Sequence, residues 1–323
     1  MSENIQRALL PQDSPQLTAN ASLQAALGLF QQYLRNEGKS ENTVKAFSSD
    51  IRLLGKFLGI GQPIGQIGLK DLNDFLDWLL HERGVPCSPK SYARRVTTLK
   101  VFFGWLQDKG ILAQDPAAGV IQKTARPRLP TLPTEAEIER ALTITQAIRE
   151  GNSDSRPDAR PHVLLELLLQ TGMKKSEIMN LVPYHIDQHD EENPYIFVRY
   201  ANPNYRYKER KLPISPDWLE VLDEYLRQYE PRDTLFDCTA RNLEYILTDV
   251  GEAAGLERGL LSFENLRWTA VLRDYRQNAD PDDIRQKLGL SPVTWRETEK
   301  KLQKIADRQA ELEGERATAA PAD

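Results

Sequence analysis

From Ala21 to Val120 the chain carries apolar residues at helical spacing, interrupted only where Gly, Pro and Ser gather, and a proline-rich basic stretch ends the pattern. That arrangement allows few folds, because amphipathic helices joined by short breaks must bury their stripes against one another. Leu23, Leu27, Phe30 and Leu34 form the first stripe, which Gly38 ends. Ser40-Glu41-Asn42-Thr43 reads as a cap for a second helix bearing Val44, Phe47, Ile51, Leu54 and Leu58. Leu72, Phe75, Leu76, Leu79 and Leu80 mark a third. After Pro86 and Pro89 the longest helix is predicted from about Lys90 to Lys109, with Val96, Leu99, Phe102, Phe103 and Leu106 inward. Arg94 and Lys100 then fall away from the apolar side, and Arg95 lies at its border.

Residues 123–133 contain three prolines and three basic residues without periodicity, which predicts an extended linker. With 323 residues the chain is long enough for two cores. The expected boundaries are a loose leader at 1–20, a helical domain at 21–122, the linker, a mixed domain at 134–313 and a disordered tail at 314–323. In the second domain Thr134-Glu135-Ala136-Glu137 reads as a helix cap. Val163 to Leu169 and Ser176 to Leu181 read as helices on either side of a turn at Gly172. Tyr195 to Tyr200 and Arg210 to Ile214 are the expected strands, with 201–208 as a long hairpin loop. Helices are expected over Trp218 to Tyr229, Ala240 to Ala254, Leu266 to Gln277, Asp280 to Leu288 and Val293 to Glu313.

The net charge of −5 argues against indiscriminate nucleic-acid binding, yet the charge is unevenly placed. Between Ser88 and Arg128 eight Lys/Arg face only Asp108 and Asp115, and between Arg199 and Lys211 five basic residues face Glu209. Such stripes are what an electrostatic footprint requires. Cys87 and Cys238 are far apart and in no metal-ligand spacing, so neither a disulfide framework nor a metal is expected. No apolar run approaches the ~20 residues of a membrane span, and Met1 to Asn20 lacks a secretory pattern. The expectation is a cytoplasmic protein without a membrane partner.

Two segments suggest phosphoryl chemistry: Gln170-Thr171-Gly172-Met173-Lys174-Lys175-Ser176-Glu177 and Phe263-Glu264-Asn265-Leu266-Arg267-Trp268-Thr269. In the first half, Ser91-Tyr92-Ala93-Arg94-Arg95-Val96 and Phe102-Phe103-Gly104-Trp105-Leu106 precede Asp115-Pro116. In this order the segments resemble the tyrosine recombinase, or phage integrase, family over about residues 22–305. The resemblance implies a mainly α fold: an N-terminal four-helix core-binding domain joined to a mixed α+β catalytic domain with a small antiparallel sheet.

In that family a tyrosine hydroxyl attacks a DNA phosphate without a cofactor, while arginines, a lysine and histidines or a tryptophan stabilise the transition state. Guanidinium forks match phosphate geometry, and preorganised donors stabilise developing charge. Here the remnant positions are Lys174, Tyr205, Glu264, Arg267, Leu290 and Glu299. Lys174 keeps the charge but not the fork of the first arginine. Tyr205 falls at the hairpin lysine, where Arg206 or Lys208 is a possible substitute. Arg267 is the clear match, followed by Trp268. Leu288-Gly289-Leu290 replaces Leu-Gly-His, and the count to the nucleophile ends on Glu299; Tyr275 is the last tyrosine.

The resemblance therefore implies a catalytically inactive clamp on double-stranded DNA. Its expected contacts are Lys45, Lys90, Arg94, Arg95, Lys100, Lys174, Lys208, Arg210 and Arg267. Two alternatives stand beside it: a recombinase with an unconventional or in-trans nucleophile, Tyr275 being one candidate, and a protein-interaction scaffold. Arg267 has two candidate roles, pairing with Glu264 or holding phosphate. The stripe Leu302, Ile305, Ala306 and Leu312 is expected either in the core or, through 293–313, against a second copy or a recombinase partner.

Overall fold

The computed structural model describes residues 17–121, 129–151 and 156–319, with side chains to 312. It divides into two compact units, Met1–Arg128 and Leu129–Asp323. The leader expected at 1–20 and the linker expected at 123–133 fall largely outside the described residues, as do Lys123, Arg126 and Arg128.

Among the described residues of the first unit, four α-helices appear: α1 (Leu23–Asn36), α2 (Glu41–Leu58), α3 (Leu69–His81) and α4 (Pro89–Asp108). Three begin on serine caps, where the side chains of Ser22, Ser40 and Ser88 accept the N–H of Ala25, Thr43 and Ser91. Their stripes meet in one core around Phe30, Ile51, Leu54, Phe75, Phe102 and Phe103. Phe30 meets Phe102 edge-on at 5.0 Å between centroids.

The second unit contains α5 (Glu135–Glu150), α6 (Arg160–Thr171), α7 (Lys175–Met179), α8 (Pro216–Tyr229), α9 (Ala240–Ala253), α10 (Phe263–Arg276), α11 (Pro281–Lys287) and α12 (Pro292–Ala319). Its sheet has antiparallel order β1-β2-β3: β1 (Ile186–Asp187), β2 (Tyr195–Val198) and β3 (Arg210–Pro213), with Ile196 opposite both Ile186 and Leu212. The two-residue strand β1 is an addition to the expected hairpin, and Pro203–Lys208 in the expected loop forms a 3-10 turn. The central helix α6, with Val163, Leu164, Leu165, Leu167, Leu168 and Leu169 all buried, packs against α5, α8 and α10.

Leu132 is buried in a second cluster of this unit with Val271, Leu272, Leu288, Leu302 and Ile305. The last residues assigned to the linker thus pack against the fold. The same cluster occupies the stripe of α12: Leu302 and Ile305 are buried and Ala306 packs beside them. These three residues pack within their own unit, while Leu312 is half-buried. The helix also continues to Ala319, past the boundary expected at 313. Glu, Arg and Ala are strong helix formers, and the single Gly314 does not break the run.

Candidate nucleic-acid interface

The chemistry of the second unit centres on one carboxylate. α6 ends at Gly172, whose φ of 58° places it in the left-handed region. The chain then turns into the short helix α7, where Glu177 reaches back to accept the backbone N–H of Lys174 at 2.8 Å. The Glu177 side chain is only 1% exposed, and Arg210 grips it with both η nitrogens at 3.1 and 3.0 Å. The Tyr200 hydroxyl donates to the same group, and the Lys174 ammonium lies 3.8 Å away. Burial alone pushes the carboxyl up, but the hydrogen bonds and charge of Arg210 outweigh it with help from Tyr200 and Lys174, bringing it to about 2.

One acid thus sits among several cations. Burial lowers the Lys174 ammonium to about 8; Glu177 opposes that change, while Arg267, Arg210 and Lys208 reinforce it. Arg267 is likewise brought down to about 10, chiefly by burial. Its two η nitrogens donate to main-chain carbonyls, one to Gly172 and the other to Leu288 at 2.7 Å. The expected partner Glu264 is exposed in the first turn of α10, and no bond to Arg267 is found among the described residues. The helix spacing permitted that pair, but the carbonyls at two buried helix ends take the guanidinium instead.

Arg210 also departs from its expected role as a DNA contact. Its side chain is 7% exposed, with Nε donating to the Lys287 carbonyl at 2.7 Å and Nη1 also to that of Lys208 at 3.1 Å. It is the structural counter-charge of Glu177. Gly289, at φ 59°, leaves room for it: a Cβ there would lie 2.9 Å from Arg210 Nη1.

The other remnant positions diverge. Tyr205 meets Tyr200 edge-on at 6.0 Å, next to the Glu177 cluster. Leu290 is half-buried in the cluster under α12, and Glu299 is exposed on α12. The face of Trp268 carries the Lys301 ammonium 4.5 Å from the ring centroid. Lys208 lies over two tyrosines, 4.5 Å from the Tyr205 centroid and 5.2 Å from that of Tyr207.

In the first unit Lys45, Lys90 and Lys100 are exposed. The arginine pair is not. Arg94 donates to Asp50 at 2.9 Å and keeps 38% of its side chain exposed. Arg95 is nearly buried, 3.6 Å from the same carboxylate and bonded to the Cys87 sulfur. Thr98 donates to Asp50 as well. Arg95 is therefore an internal counter-charge, because a carboxylate buried on α2 has to be matched by the facing helix. Asp50, Glu177 and Tyr200 were absent from the candidates drawn from sequence. The usable signal was Glu177 three residues after Lys174 at a helix start, the spacing of a reciprocal cap.

Comparison with known proteins places both units. Residues 27–110 match the "phage integrase, N-terminal SAM-like domain" and residues 134–294 the "phage integrase family". The tyrosine recombinase XerC of Mycobacterium bovis (strain BCG / Pasteur 1173P2) is 30% identical over 207 residues, 63% of this chain and 65% of the relative. The chain thus spans just under two thirds of that relative's length. A lambda integrase dimer bound to a COC′ core site gives a TM-score of 0.65 at 17% identity, covering 86% of this chain and 77% of the other. XerH bound to difH substrate in a pre-cleavage complex gives 0.62 at 18%, covering 89% and 83%. At these identities the structural likeness establishes the fold.

Proposed function

Because this chain belongs to the phage integrase family of tyrosine recombinases, we propose that it binds duplex DNA and does not cleave it by the family's tyrosine mechanism. The observation that carries the reading is a retained cationic cluster without a tyrosine at the expected place. Lys174 and Arg267 surround Glu177 together with Arg210, while the position reached by counting to the nucleophile is the exposed carboxylate Glu299. A carboxylate there cannot form a phosphotyrosine, whereas Lys174, one-third exposed and 3.8 Å from an acid that Arg210 already satisfies, remains suited to an anionic backbone.

The neighbours bound to a COC′ core site and to difH substrate support DNA as the ligand. Exposed Lys45, Lys90 and Lys100 supply sequence-independent contacts in the first unit, while Arg94 is bonded to the buried Asp50. Lys174 and Lys208 are the corresponding residues in the second. With Arg94, Arg95 and Arg210 paired internally, the footprint is smaller than the count of basic residues suggests.

Two measurements test the reading. A nicked suicide duplex incubated with the protein yields no covalent adduct on a denaturing gel. Fluorescence anisotropy with the same duplex shows affinity falling steeply with salt, and Lys100→Ala reduces the slope of log K against log[salt] by about one. A covalent adduct overturns the inactive reading; absence of salt-dependent binding overturns the DNA reading.

A further inference from the structure

At the mouth of the β2–β3 hairpin, close to the Glu177 cluster, the chain exposes tyrosines among cations. Val198 pairs with Arg210, so Arg199 and Glu209 follow at the open end, where Glu209 accepts the Tyr200 N–H at 2.9 Å. Arg199 donates to the Tyr184 hydroxyl at 3.0 Å, yet Tyr184 remains 76% exposed. Tyr207 is 65% exposed. The Lys208 ammonium lies against the rings of both Tyr205 and Tyr207, restraining them while supplying positive charge. Arg206 is exposed in the same turn.

Tyr184 and Tyr207 keep most of their rings exposed although each is held by a cation, Arg199 or Lys208. The combination suits a nucleotide whose base is out of its stack: the ring receives the π-face and the cation receives the phosphate. A paired base offers only its edges, because its faces are covered by its neighbours.

We propose that Tyr184 and Tyr207, with Arg199 and Lys208, form a stacking platform for unpaired bases, so that locally opened duplex is preferred over perfect duplex. This rests on the DNA-binding reading and specifies its substrate. The continuity from Lys208 through Tyr205 and Tyr200 to Glu177 and Lys174 puts the Tyr207 side of the platform beside the cationic cluster.

The test uses the full chain and three fluorescein-labelled probes: a perfect duplex, the same duplex with a three-base bubble, and a single strand of the bubble sequence. The expected result is a bubble affinity at least about tenfold above that of the perfect duplex, a size typical of one stacked base. The double variant Tyr184→Ala/Tyr207→Ala loses that preference, whereas Tyr184→Phe/Tyr207→Phe keeps it. Equal wild-type affinity for bubble and perfect duplex, or a preference unchanged in the alanine variant, overturns the platform while leaving duplex binding standing. Absence of binding to all three probes overturns both readings.

Discussion

Glu177→Gln isolates the contribution of the buried carboxylate. The substitution preserves volume but removes the charge that matches Arg210, whose guanidinium is 7% exposed and has no other carboxylate among its hydrogen-bond partners in the described residues. Removing one member of a buried pair typically costs about 3–5 kcal/mol, because the survivor stays desolvated and unmatched. The Gln amide worsens matters, since its NH2 meets a guanidinium that can only donate. For a unit of this size each kcal/mol shifts Tm by about 2–4 °C, so a fall on the order of 6–20 °C is expected. Urea unfolding followed by circular dichroism measures the same loss. Two internal checks accompany it. The carboxyl stands at about 2 in the fold against an ordinary 4.5, so its contribution is fully present above pH 4.5 and disappears as pH falls through 2. The difference between wild type and variant is therefore flat from pH 5 to 7 and narrows below 4.5. Moreover, Glu177→Gln/Arg210→Met leaves no lone charge in this pair, and its cost is at least about 2 kcal/mol less than the sum of the single losses. Additive losses, or a single loss under about 1 kcal/mol, refute the argument that the pair is a coupled buried charge.

Lys174 is lowered to about 8 mainly by burial, so it loses its proton as pH rises through that value. A bound phosphate favours the charged form, and DNA affinity at fixed salt is expected to weaken between pH 7 and 9; Lys174→Arg flattens the profile because guanidinium stays charged. Anisotropy titrations at half-unit pH steps read this directly. Gly289→Ala places a Cβ 2.9 Å from Arg210 Nη1 on a residue at φ 59°. A destabilisation of about 1–3 kcal/mol is expected from the left-handed strain and the displaced guanidinium, and calorimetric Tm values check it.

How far the sequence discloses this protein depends on whether a feature is periodic or pairwise. The stripes of α1 to α4 follow from apolar spacing, and the Ser40 cap fixes where α2 begins, because both signals lie within one element. Strand β1 has only two residues and thus no period; it exists because Ile186 and Asp187 lie alongside β2. The arginines failed for a related reason. Helical projection placed Arg94 outward and Arg95 at the border, and no property of α4 indicates that Asp50 on α2 lies opposite both. In the second unit, Arg267 and Glu264 satisfied the spacing of an ion pair, but the acceptors that took the guanidinium are carbonyls of Gly172 and Leu288, far away in the chain. Charge-bearing side chains are placed by the acceptors that burial leaves unmatched, and those belong to the tertiary fold.

That distinction bears on which cations are able to meet DNA. A guanidinium already bonded to a buried carboxylate must abandon it to reach a phosphate, leaving that acid desolvated and unpaired. Arg94 and Arg210 are held in this way and Arg95 lies buried 3.6 Å from the same Asp50, whereas Lys45, Lys90 and Lys100 are exposed. Lys174 lies between these limits: it is one-third exposed, its ammonium is 3.8 Å from Glu177, and that acid already accepts two bonds from Arg210. An incoming phosphate therefore competes for Lys174 with a carboxylate that Arg210 continues to satisfy. The buried pair keeps the acid occupied, and the neighbouring lysine retains the freedom to bind an anion.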